Sequence, residues 1–145
     1  MKIAVKKVMP NGKLPTYGSE YSAGADLYAL LEEPCVIAPG ETVLLHTGIA
    51  MEIPEGYGGF IYARSGLGVK KGLAPANKVG VIDSDYRGEI RVALHNHGPQ
   101  PQTVENGERV AQLVIAPFLK AQFEECENLE GTERGDGGFG STGRK

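Results

Sequence analysis

Between residues 80 and 90 the chain reads Gly-Val-Ile-Asp-Ser-Asp-Tyr-Arg-Gly-Glu-Ile, two apolar runs around a polar turn. Paired as a β-hairpin about Tyr86, the segment sets Val81 opposite Arg91 and leaves Asp83 at a strand end, where a carboxylate could act as a general base toward water. A solvent-facing turn has the same residue types, so both readings stay open on this segment alone. A second constellation is Ala63-Arg64-Ser65-Gly66, followed by spacing that permits a short helix opening just after Ser65. Free backbone N–H groups, a hydroxyl, a guanidinium and a glycine allowing close approach together suit an anion. The alternative is a strand-to-helix turn capped by Ser65. A third lies at the C-terminus, where Arg134-Gly135-Asp136-Gly137-Gly138-Phe139-Gly140-Ser141-Thr142-Gly143 carries a cation, a ring and two hydroxyls on a glycine-rich backbone. It could close over a phosphorylated, ring-bearing ligand, or it could be a plain terminus. Its Arg-Gly-Asp triplet is short enough to recur by chance.

Two other arrangements have less support. His95-Asn96-His97 puts two imidazoles on one face of a strand, but a metal would need further ligands that the neighbouring sequence does not supply. Strand-end histidines beside a turn are the preferred reading. Ser65 with a histidine and an acid does not make a hydrolytic triad, because no G-x-S-x-G elbow is present.

The elements that must position these residues are short. With 21 glycines and 9 prolines spread over 145 residues, no amphipathic stretch of helical period exceeds about three turns. Strands are expected at 3–8, 25–28, 35–38, 41–49, 59–63, 78–82, 89–95, 102–104 and 111–118, with turn signals such as Pro39-Gly40 and Asn106-Gly107 between them. The expected class is all-β, a jelly-roll-like β-barrel with one short helix over residues 1–130, followed by a flexible glycine-rich tail at 131–145. A net charge of -3 argues against non-specific binding to long nucleic acids, and no apolar run is long enough to cross a bilayer. Cys35 and Cys126 are too far apart for a CxxC pair, so reduced thiols are expected. Without an apolar leader behind the first lysines, the expected location is the cytoplasm.

Taken in order, five segments resemble the motif set of the trimeric dUTPase family: Ala23-Gly24-Ala25-Asp26-Leu27, Ala63 to Leu67, Gly80 to Glu89, Gly107-Glu108-Arg109-Val110-Ala111-Gln112-Leu113, and Arg134 to Gly143. The resemblance implies a homotrimer with shared active sites that hydrolyses dUTP to dUMP and pyrophosphate with Mg²⁺, limiting uracil in DNA and supplying dUMP for dTMP synthesis. By the same resemblance Asp83 activates the water, and Arg64, Ser65, Gly66 and Gln112 bind phosphates. Asp26 holds a magnesium-bound water. Asn77, Val81, Ile82, Asp83, Tyr86 and Arg91 receive the nucleoside, while Arg134, Phe139, Gly140, Ser141 and Thr142 close over it. The related dCTP deaminases share the fold and a similar Arg-Ser segment, and a non-catalytic dUTP-binding regulatory module is a further alternative. The Val81-to-Tyr86 segment and the complete tail match the pyrophosphatase form.

Overall fold

The computed structural model describes residues 1–138 and is built from β-strands with one short helix. In chain order the strands are β1 (Ala4–Lys7), β2 (Thr16–Tyr17), β3 (Ala25–Tyr28), β4 (Cys35–Ile37), β5 (Thr42–His46), β6 (Ile49–Glu52) and β7 (Tyr57–Tyr62). Helix α1 (Ser65–Lys71) follows, then β8 (Leu73–Pro75), β9 (Gly80–Ile82), β10 (Arg91–Asn96), β11 (Gln102–Val104) and β12 (Arg109–Pro117). They form a five-stranded sheet in the order β2-β3-β12-β7-β9, a three-stranded sheet β5-β10-β8, and the pairs β1-β6 and β4-β11. Every pairing is antiparallel. The architecture is all-β and jelly-roll-like, but the described strands do not join into a closed barrel.

Alternation along the strands explains the packing. On β10, Val92, Leu94 and Asn96 point inward while Arg91, Ala93 and His95 do not. Val92 and Leu94 join Leu45 of the same sheet and Leu27, Ile37, Ile61, Val104 and Leu113 from the other sheets in one core. Asn96, fully buried, is satisfied: its amide donates to the Ile37 and Gln100 carbonyls, and its oxygen accepts the Gly98 N–H.

Helix α1 buries only Leu67 and ends where Gly72 takes φ +67, a left-handed cap that its neighbour Gly98 leaves room for only without a Cβ. The short helix expected just after Ser65 begins at Ser65 itself with Arg64 at the N-cap position, so the alternative reading in which Ser65 caps the turn is not observed and no side chain caps this end.

The expected hairpin is also absent. Val81 pairs with Phe60 on β7, whereas Arg91 pairs with His46 on β5, so the two arms belong to different sheets. The reason is that β10 already has β5 and β8 on its two sides. The expected strand at 41–49 is divided at Thr47 and Gly48, where Gly48 adopts φ +71. After Pro117 the described chain carries no further strand or helix.

Candidate active site

Because the two arms diverge, a cavity of about 290 Å³ opens between them. Asn77, Val81, Ile82, Asp83, Tyr86 and Arg91 all line it, joined by Leu44, Ile61, Gly80, Glu89 and Ile90. One wall is β9, the outermost strand of its sheet, which bonds to β7 on one side and has no strand partner on the other among the described residues. Backbone N–H and C=O groups along such an edge can pair with a planar, hydrogen-bonding ring as they would with another strand. Asp83 follows directly, exposed, and also borders a second groove lined by Glu52, Pro54, Asp85, Arg87 and Phe118. The Tyr86 ring lies across Gly88, where an added Cβ would collide with it, and the Tyr86 hydroxyl donates to the Glu89 main-chain oxygen at 3.0 Å.

A second cavity, about 350 Å³, gathers Asp26, Arg64, Ser65, Gly66 and Gln112, with Gly18, Ser22, Ala23, Gly24 and Arg109. Asp26 is buried in the middle of β3, and both of its oxygens are engaged: Oδ1 accepts Arg64 Nε at 2.7 Å and Oδ2 accepts Arg109 Nη1 at 3.1 Å. Arg64 Nη1 also donates to the Arg109 carbonyl at 3.3 Å. The guanidinium is thereby oriented before any ligand arrives. Gln112 donates to the Ala63 carbonyl at 2.9 Å, and Gly24 is tolerated beside it only because it lacks a Cβ, which would fall 2.7 Å from Gln112 Oε1.

Arg109 reaches this cavity through a bulge. Residues three apart on a regular strand face opposite sides, which would turn Arg109 away from Gln112. On β12 the register slips, Arg109 lying opposite Tyr28 but Ala111 opposite Leu27, so Val110 is the extra residue. Arg109 and Gln112 then sit over Tyr28 and Asp26, two apart on one face. Sequence spacing hides this arrangement; the adjacent burial of Val110 and Ala111 is its trace in the structure.

The described residues contain no group of three His, Cys, Asp or Glu side chains able to hold a metal. Asp26 gives two of a carboxylate's roughly four acceptor sites to arginines, so it keeps acceptor capacity with which it could take a hydrogen bond from a water of a hard, hydrated cation. His95 and His97 bond within the protein: His95 Nδ1 meets Thr42 Oγ1 at 2.8 Å and His97 Nε2 meets Lys78 Nζ at 3.3 Å. Loss of hydration, then the charges of Lys78 and His95, pull the His97 imidazole below its ordinary value.

Arg134 lines neither cavity and donates to the Gly137 carbonyl at 2.8 Å within its own segment. Phe139, Gly140, Ser141 and Thr142 lie outside the described residues. The two cavities share no lining residue.

Comparison with known proteins agrees across the whole chain. The dUTPase family model matches residues 10–143. A deoxyuridine 5'-triphosphate nucleotidohydrolase from Hydrogenobaculum sp. (strain Y04AAS1) is 49% identical over 145 residues, covering 100% of both chains. Its counterpart from Desulfitobacterium hafniense (strain DSM 10664 / DCB-2) is 50% identical over 144 residues, 99% of this chain and 95% of the other. Among solved structures, the Staphylococcus bacteriophage 80alpha dUTPase with dUPNHPP superposes with a TM-score of 0.87 at 29% identity, covering 98% of each chain.

Proposed function

The chain belongs to the dUTPase family and hydrolyses dUTP, and we propose that it does so by attack of a water on the α-phosphorus, releasing dUMP and pyrophosphate. The observation that carries this reading is the open edge of β9 beside the Asp83 carboxylate in one cavity. Uracil pairs along the backbone of Val81 to Asp83, with Asn77 and Arg91 completing its surroundings. A backbone pattern cannot be inverted, so cytosine leaves polar groups unpaired, and the thymine methyl meets the wall. The deoxyribose rests on the Tyr86 ring, which leaves no volume for a 2′-hydroxyl.

Asp83 orients the water and takes its proton as oxygen attacks phosphorus; the bond to the bridging oxygen breaks, and the electron pair leaves with pyrophosphate. Arg64, Ser65, Gly66 and Gln112 supply donors to the phosphates. Arg64 reaches them already aligned by Asp26. Asp26, which keeps acceptor capacity beyond its two arginine bonds, would hold a Mg²⁺ through one of the ion's waters, and the ion, when bound, would supply positive charge against the phosphates. Because one chain forms the nucleoside and phosphate cavities separately, we assign the complete site to a homotrimer, with Arg134, Phe139, Gly140, Ser141 and Thr142 of the 131–145 tail closing it. By removing dUTP the reaction limits uracil in DNA, and it supplies dUMP for dTMP synthesis, in the cytoplasm, where the unpaired Cys35 and Cys126 would stay reduced.

The direct test is to offer the purified protein dUTP, dCTP and UTP with Mg²⁺ and to measure pyrophosphate and ammonia. Pyrophosphate from dUTP alone is expected. Ammonia from dCTP would replace this reading with a deaminase.

A further inference from the structure

Glu89 lines the nucleoside cavity but takes no part in the chemistry above, because its carboxylate is engaged by the protein itself. Oε2 meets His46 Nδ1 at 2.8 Å, and Oε1 accepts the Gly48 N–H at 2.8 Å. The next residue is held to the same corner: the Ile90 N–H donates to the Ile49 carbonyl at 2.8 Å, and the Thr47 hydroxyl donates to the Ile90 carbonyl. Burial works to raise the Glu89 carboxyl, but the bonds from His46 and Gly48 outweigh it and hold the group below its ordinary value. At neutral pH it is a carboxylate with two fixed donors.

Tyr86 hangs from the other end of this anchor. Its hydroxyl is bonded to the Glu89 carbonyl, and its ring covers Gly88, so the orientation of the ring follows the position of residue 89. Exclusion by volume works only if the excluding surface does not yield. A ring able to tilt by about 1 Å would admit an extra oxygen.

We propose that Glu89, clamped by His46 and the Gly48 N–H, is a positioning residue that fixes the Tyr86 ring beneath the sugar and thereby sets the preference for deoxyribose over ribose. The proposal rests on the reading of this cavity as a deoxyuridine site. His46 does not line that cavity, and both carboxylate oxygens of Glu89 are already bonded within the protein.

The test is the ratio of kcat/KM for dUTP to that for UTP in the full chain and in Glu89→Ala, Glu89→Gln and His46→Gln. The expected fall is about tenfold in Glu89→Ala and about threefold in His46→Gln, the scale of one loosened contact. Glu89→Gln keeps an oxygen for the Gly48 N–H and should stay within about twofold of the parent. A ratio unchanged in folded Glu89→Ala overturns the proposal. Should that variant fail to fold by circular dichroism, His46→Gln decides alone, since its side chain is half exposed, and an unchanged ratio there overturns it equally. If the parent does not hydrolyse dUTP, the functional reading falls, and calorimetric binding of dUMP against UMP replaces turnover. A preference for dUMP that weakens in Glu89→Ala then supports the positioning role, and an absent or unchanged preference ends it.

Discussion

In the proposed mechanism Asp83 is the residue on which the chemistry depends most directly. Replacing it by Asn keeps its size and removes its basicity, so nucleotide binding should persist while turnover falls about 10²–10⁴-fold, the usual loss for a general base. Stopped-flow binding and steady-state hydrolysis measured together check this, and near-normal turnover would remove Asp83 from the mechanism. Glu89 carries a second expectation at this scale. Its folded-state value lies below the ordinary 4.5, so its contribution to stability is complete above that value and is lost as pH falls through the lower, folded one. Glu89→Gln has no such titration, and its urea midpoint should therefore decline less than the parent's as the pH is lowered below about 4.5. Equal declines would mean the His46 contact stores no stability. Both Asp83 and Arg64 could be singled out from sequence, because their types and neighbours point to chemistry. Glu89, His46 and Arg109 could not: the first two meet only after β5 and β10 align, and the third is aimed by a bulge that no spacing rule displays.

Among the elements, the corner between β5 and β6 holds more together than its two residues suggest. The Gly48 carbonyl accepts from Val8 and Met9, its N–H donates to Glu89, and Gly12 approaches so closely that a Cβ there would strike the Gly48 oxygen. Gly48 also combines φ +71 with a would-be Cβ 2.6 Å from Leu30 Cδ2. Gly48→Ala should thus cost both left-handed strain and packing, about 2–4 kcal/mol, whereas Gly40→Ala, at φ +77 with open space around it, should cost only the strain, about 1–2 kcal/mol. Equal losses in chemical denaturation would show that the packing term is negligible. The strand at 102–104 was legible in full because Thr103 and Val104 sit between the Pro99-Gln100-Pro101 and Asn106-Gly107 turn signals, and that at 25–28 because Leu27 and Tyr28 follow Gly24. Strand β8 was not, since it contains Pro75 and follows the helix directly, and β2 has only two residues. The hairpin was misread because closeness in sequence suggests pairing, while the partners of β9 and β10 are set by distant strands.

For the whole molecule, the proposed sharing of one site between chains would make assembly a requirement of catalysis. Asp83→Asn chains and chains lacking residues 134–145 should each be inactive alone. Unfolded together in equal amounts and refolded, they should recover dUTP hydrolysis, about a quarter of sites receiving an intact Asp83 from one chain and an intact tail from another. Light scattering must confirm mixed trimers; if it does and no activity returns, each chain closes its own site. The open side of β9 has one more consequence, in solution behaviour. A strand edge without a partner is a template for any extended peptide, and among the described residues this edge has none, with Val81 65% exposed. Three residues make it short, and Lys78 before it and Asp83 and Asp85 after it place charge at both ends. These charged flanks act as gatekeepers against runaway self-association. If the base pairs along this backbone as proposed, the edge has to stay accessible between turnovers, and nucleotide bound there would also shield it from other chains.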